Sequence, residues 1–228
     1  LAKQPGQRPA HAEALLKEIL NLSLPRAHIS NAGEAATSQT SGPAGPGGTP
    51  APTGTKQTST DEANYYIERK ADRRLCHEIG NQRSIILLCG PRRIGKTLSL
   101  NRGLIHARSL KRRVAVTDCQ ALGGESLESV KSLYLELADQ LGVDLRLAVR
   151  LSDLWDDRRA PNLNLQMFVE DHVLRDAQQP VVWALDRVDR LFSHPVSASL
   201  FSLFRAWHNT RSTRPDVPWS LLTLILVY

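Results

Sequence analysis

The eight residues Gly90-Pro-Arg-Arg-Ile-Gly-Lys-Thr97 have the types and spacing of G-x-x-x-x-G-K-[ST], a pattern suited to holding phosphate. Gly90 and Gly95 permit backbone conformations and close approaches that a Cβ would block. Backbone N–H groups between them can then converge on phosphate oxygens. The helix expected to start near Lys96 adds the positive end of its dipole. Lys96 is spaced to reach the β- and γ-phosphates of a nucleotide, and the Thr97 hydroxyl to bind Mg²⁺. The run Gly90, Pro91, Arg92, Arg93, Ile94, Gly95, Lys96, Thr97 and Leu98 is therefore expected to form the phosphate cradle. At ordinary residue frequencies the pattern arises in roughly one random chain of this size in 100. The apolar run before it and the helical spacing after it lower that further.

A second stretch has complementary chemistry. Val181 to Phe192 reads VVWALDRVDRLF, an apolar run ending in an acid, as in a Walker B element. Parallel sheets bind ligands at the carboxyl edge of their strands. Asp186 is expected there, holding Mg²⁺ through water opposite Thr97. No [NT]KxD element follows this strand, so adenine is expected over guanine and the nucleotide is read as ATP.

These residues need a scaffold of alternating strands and helices. Ser84 to Cys89, Arg113 to Asp118, Val181 to Leu185 and Leu221 to Tyr228 read as strands. Helical spacing of apolar residues marks Ala71 to Ile79, the segment after Lys96, Glu125 to Leu141 closed by Gly142, Leu163 to Ala177, and Leu200 to His208. Alternation of this kind predicts an α/β fold, a three-layer P-loop NTPase with a parallel sheet.

Upstream the composition changes. An amphipathic helix is expected from Ala10 to Leu24, with Leu15, Leu16, Ile19 and Leu22 on one face and Pro25 stopping it. From Asn31 to Asn64 there is no Leu, Ile, Val, Met, Phe, Tyr or Trp. Such a Gly/Pro/Ala/Thr-rich run cannot bury enough apolar surface to offset its chain entropy, and a disordered linker is expected. As a flexible coil it would span about 30–35 Å. Three units follow: an N-terminal helical segment, 1–30, read as the tail of an upstream domain; a linker, 31–64; and the nucleotide-binding core, 65–228. The chain starts at Leu1 and ends inside an apolar run, so both ends are expected to be cuts in a longer protein, the core being incomplete at its C-terminus.

Composition narrows the class. No signal peptide or membrane-length apolar stretch is visible, and a cytoplasmic location is expected. Cys76, Cys89 and Cys119 lie far apart without metal-ligand spacing and read as reduced thiols. His172, His194 and His208 do not cluster with acids or cysteines, so no metal other than Mg²⁺ is expected. The net charge is +6, but the arginines are scattered and aromatics are 5% of residues, which disfavours a nucleic-acid partner.

The blocks YYIERKAD, GPRRIGKT, WALDRVDRLF, LFSLFRAWHN and LTLILVY, taken in order over Tyr65 to Tyr228, resemble the AAA-like P-loop ATPases. Within them the chain is similar to the bacterial AAA-like domain group, close to the signal-transduction ATPases with numerous domains. The resemblance implies an ATP·Mg²⁺-binding switch or oligomerisation module beside sensor or effector domains. It also implies Lys96 and Asp186 as catalytic-site residues. Hydrolytic members carry Glu directly after the Walker B Asp, where it activates water; this chain has Arg187. A guanidinium cannot accept a proton at neutral pH, so slow hydrolysis is expected, with Asp189 the nearest alternative acid. Two other readings are a DNA-associated ATPase of the origin-recognition or transposition-helper kind, and an inactive P-loop scaffold.

Overall fold

The computed structural model describes the backbone of residues 26–28 and residues 68–175, 179–214, 216 and 218–228. The helix expected over Ala10 to Leu24, the linker 31–64, the aromatics Tyr65 and Tyr66, and Ala177 lie outside the described residues.

Four strands form the parallel sheet: β2 (Ile85–Cys89), β3 (Arg113–Asp118), β4 (Val181–Asp186) and β5 (Leu222–Val227). A three-residue strand, β1 (Arg26–His28), pairs with β2 on its outer edge. The order is β1-β2-β5-β4-β3, all parallel. No sequence signal marked β1, which is too short to carry a periodic pattern.

Parallel strands need crossovers, and helices supply them. They are α1 (Lys70–Gly80), α2 (Lys96–Ser109), α3 (Val130–Leu145), the short α4 (Leu151–Leu154), α5 (Pro161–Phe168) and α6 (Val196–Thr213). A π-helical turn, Val169–Arg175, continues α5. Side chains of a strand alternate between faces, which gives two cores. Ile86, Leu88, Val182, Ala184, Ile225 and Val227 pack with α1 and α2. Ile85, Leu87, Trp183, Leu185, Leu224 and Leu226 pack with α3, α5 and α6. β4 and β5, central in the order, are buried throughout, whereas β3 at the edge is buried at alternate residues.

α1 and α2 cross closely at Gly103, where a Cβ would lie 2.7 Å from Cδ2 of Leu75. Trp183 Nε1 donates to Thr117 Oγ1 at 3.1 Å, a buried tie between β4 and β3.

Helix boundaries differ from the sequence expectation. α6 extends at both ends beyond Leu200 to His208, and α5 starts at Pro161 and gives way to the π-helical turn at Val169. The segment from Glu125 divides in two. Glu125–Leu127 is a separate 3₁₀ turn, and α3 starts after Ser129, whose hydroxyl accepts from the Ser132 N–H at 3.0 Å. Gly142 does not close α3. The helix runs through it to Leu145 and ends at Arg146, which takes the left-handed conformation at φ 54°. Burial of Leu145 carries the helix past the glycine, whose helical cost is only about 1 kcal/mol. Among the described residues, no helix is long and apolar enough to cross a membrane.

Candidate functional site

β2 ends at Cys89 and α2 starts at Lys96, so residues 90–95 form the tight connection between a buried strand and a helix N-terminus. Gly95 caps α2 with φ 89°, a left-handed conformation that side chains rarely adopt. A Cβ there would also lie 3.4 Å from Nη1 of Arg69, whose guanidinium donates to the Ile94 carbonyl. Arg93 is left-handed as well, at φ 63°. Lys96 Nζ donates to the carbonyls of Gly90 at 2.8 Å and Pro91 at 3.0 Å.

Asp186 ends β4 and is 7% exposed. Its Oδ2 accepts from Thr97 Oγ1 at 3.0 Å, and its Oδ1 from the Arg187 N–H at 2.9 Å. Thr97 and Asp186 are 89 residues apart in sequence, and a hydroxyl and a carboxylate oxygen meet at the carboxyl edge of the sheet. This pair fits a hard, oxygen-preferring cation, the donor set that Mg²⁺ takes beside phosphates.

After Asp186 the chain turns sharply. Arg187 is left-handed at φ 55°, and residues Val188–Ser193 wind as a 3₁₀ helix. That winding brings Asp189 to the same cleft as Thr97 and Asp186. The cleft has a volume of about 1160 Å³. Its cations are Arg92, Arg93, Lys96, Arg187 and Arg190; its carboxylates are Asp186 and Asp189. The excess of positive charge suits a polyanionic ligand.

The expected residues separate into two groups. Arg92, Arg93, Gly95, Lys96, Thr97, Asp186 and Asp189 line the cleft together. Gly90, Pro91, Ile94 and Leu98 are not among the lining residues, Ile94 being buried and Leu98 48% exposed. Sequence reasoning missed Gln120 and His194, which also line it. It missed Asp118 as well, at the end of β3 and paired in register with Asp186. The signal was present: Arg113 to Asp118 ends an apolar-rich strand in an acid, as Val181 to Asp186 does.

Cys119 follows Asp118, is fully buried, and donates its N–H to the Asp186 carbonyl at 3.0 Å. Burial, with Asp118, Asp186 and Asp189 adding to it, pushes its thiol up to about 12. Thiolate is the reactive species. With an ordinary value of 9.0, Cys119 should therefore alkylate about 1000-fold more slowly than an exposed thiol in the native protein at pH 8. Mass-spectrometric mapping after iodoacetamide treatment checks this; rapid native-state modification of Cys119 would contradict the placement.

A family model described as AAA-like domain matches residues 54–228, more than half of the chain. No curated protein and no solved structure matches it.

Proposed function

The chain belongs to the AAA-like domain family, whose members are nucleotide-binding, ATPase-like modules, and from that premise we propose that it binds ATP·Mg²⁺ at the cleft between Gly90–Thr97 and Asp186. The observation carrying this reading is the 3.0 Å bond between Thr97 Oγ1 and Asp186 Oδ2, beside the loop that holds Lys96. Lys96 would turn from the carbonyls of Gly90 and Pro91 to the outer phosphates. Loop N–H groups and the start of α2 would take the remaining oxygens. Thr97 would hold Mg²⁺ directly and Asp186 through water, the metal offsetting phosphate charge when bound.

In this proposal the domain is a nucleotide-dependent switch or oligomerisation module of a multidomain bacterial signalling or defence protein. The expected boundary at residue 30 is corrected by β1: Arg26–His28 pair with β2 and so belong to the core sheet, which leaves residues 1–25 for an upstream unit and 31–64 for a linker. Hydrolysis is slow because Arg187 stands where a water-activating acid is needed. The arrangement leaves Asp189 as an acid in the cleft able to substitute weakly.

Thr97→Ala and Asp186→Asn test the metal half of the site. Each should raise the Mg²⁺ concentration needed for nucleotide binding by about tenfold or more. Affinity measured without Mg²⁺ should change far less. Calorimetric titrations across Mg²⁺ concentrations give both quantities. An unaltered Mg²⁺ dependence in both variants would reject the assignment.

A further inference from the structure

The side chain of Arg187 lines the nucleotide cleft, yet it is also paired outside it. Its Nη1 lies 3.7 Å from Oδ2 of Asp118, each side chain about half exposed, at 50% and 46%. The backbone holds this position. Arg187 is left-handed, and its N–H is anchored on Asp186 Oδ1 at 2.9 Å. Asp118 is the last residue of β3, directly beside Asp186 in register.

Asp118 does a second job. Its Oδ1 accepts from the Gln120 N–H at 2.9 Å, which turns the chain just after β3. Gln120 in turn offers its carbonyl to the guanidinium of Arg190, and the Cys119 N–H donates to the Asp186 carbonyl at 3.0 Å. The turn at 118–120 is therefore tied at three points to Asp186 and the segment that follows it. Two of those ties are arginines that line the cleft.

We propose that Arg187 is shared between two anions, the Asp118 carboxylate and the terminal phosphate of a bound nucleoside triphosphate, so that one of the three ties on the turn at 118–120 is made in one nucleotide state and broken in the other. A half-exposed ion pair is weak, because water screens it. A terminal phosphate carries more charge and more acceptor oxygens than a carboxylate, and arginine matches it with a planar fork of donors. The exchange therefore runs towards phosphate when a triphosphate is present and back to Asp118 when only a diphosphate is. Asp118 is a positioning residue: it sets the rest state of Arg187 and passes the change to the turn. The inference rests on the nucleotide-binding reading above.

The test measures affinities of the 228-residue chain for Mg²⁺·ADP and for a non-hydrolysable Mg²⁺·ATP analogue. Arg187→Gln should lower the ratio of triphosphate to diphosphate affinity by about tenfold, since it removes a charge-assisted contact made only with the triphosphate. Asp118→Asn should raise that ratio by about threefold, since it frees Arg187 from its competing anion. The double variant should behave as Arg187→Gln alone, because an asparagine amide oxygen can keep the bond from the Gln120 N–H and Asp118 biases the ratio only through Arg187. Arg187→Lys should retain part of the preference. A ratio unmoved by Asp118→Asn, or independent effects in the double variant, would overturn the shared-arginine switch while nucleotide binding stands. A wild-type chain that binds neither nucleotide would overturn the underlying reading and the switch with it.

Discussion

Replacing Lys96 with alanine should reduce ATP affinity by at least about 100-fold, or about 2.7 kcal/mol, and leave the fold in place. The size of the effect comes from charge. Among the described residues, Lys96 is the cation whose ammonium bonds to the loop's own carbonyls, at Gly90 and Pro91. Charge-assisted hydrogen bonds to phosphate in a partly enclosed site are the strong ones. The fold should tolerate the change because Lys96 contributes bonds only to two carbonyls in a solvent-facing loop, and alanine is the best helix former for the first turn of α2. Isothermal calorimetry with Mg²⁺·ATP and thermal denaturation give the two readouts. Wild-type affinity in the variant would sink the site assignment. A collapsed melting temperature would mean that the lysine is structural.

The second large effect concerns turnover. Arg187→Glu should raise the rate of ATP hydrolysis at saturating nucleotide by at least about tenfold, towards the 10²–10⁴-fold that a positioned general base contributes. The backbone supports the swap. Residue 187 is already a left-handed, non-glycine position, so glutamate meets the same backbone demand as arginine. The new carboxylate would, however, face Asp118, the present partner of Arg187 at 3.7 Å. Two like charges at that distance cost about 1 kcal/mol in water-like surroundings. Adding Asp118→Asn should therefore increase the gain of Arg187→Glu. A phosphate-release assay on both variants decides the matter. Brisk turnover by the unmodified chain, or no gain from glutamate, would count against Arg187 as the reason for slow hydrolysis. Asp189→Asn would then be the informative variant, since Asp189 is the other acid that reaches the cleft.

The local elements were legible because they are written in local patterns. Ile85–Cys89 and Val181–Asp186 are continuous apolar runs, as buried parallel strands must be, and both are strands. The motif at 90–97 specified its own strand–loop–helix context, because glycine placement and backbone conformation are properties of adjacent residues. At the end of α3 burial against the rest of the fold overrides the local pattern. Gly142 reads as a helix end, but buried Leu145 carries α3 beyond it.

The pairings across the sheet lie beyond any local pattern. Periodicity counts strands and orders them along the chain, but it carries no term for which strand lies beside which. The placement of β5 between β2 and β4 leaves β4 and β5 buried at every position, a condition on the whole chain. That order brings the carboxyl ends of β2 and β4 to one edge, so that Thr97 can meet Asp186. The sequence by itself determined the strand–loop–helix frame around residues 90–95 and the mixed α/β class of the fold with its parallel sheet. Tertiary structure alone put β3 beside β4, giving Arg187 the carboxylate of Asp118 as its partner, because an ion pair across two strands exists only once the register between them is set.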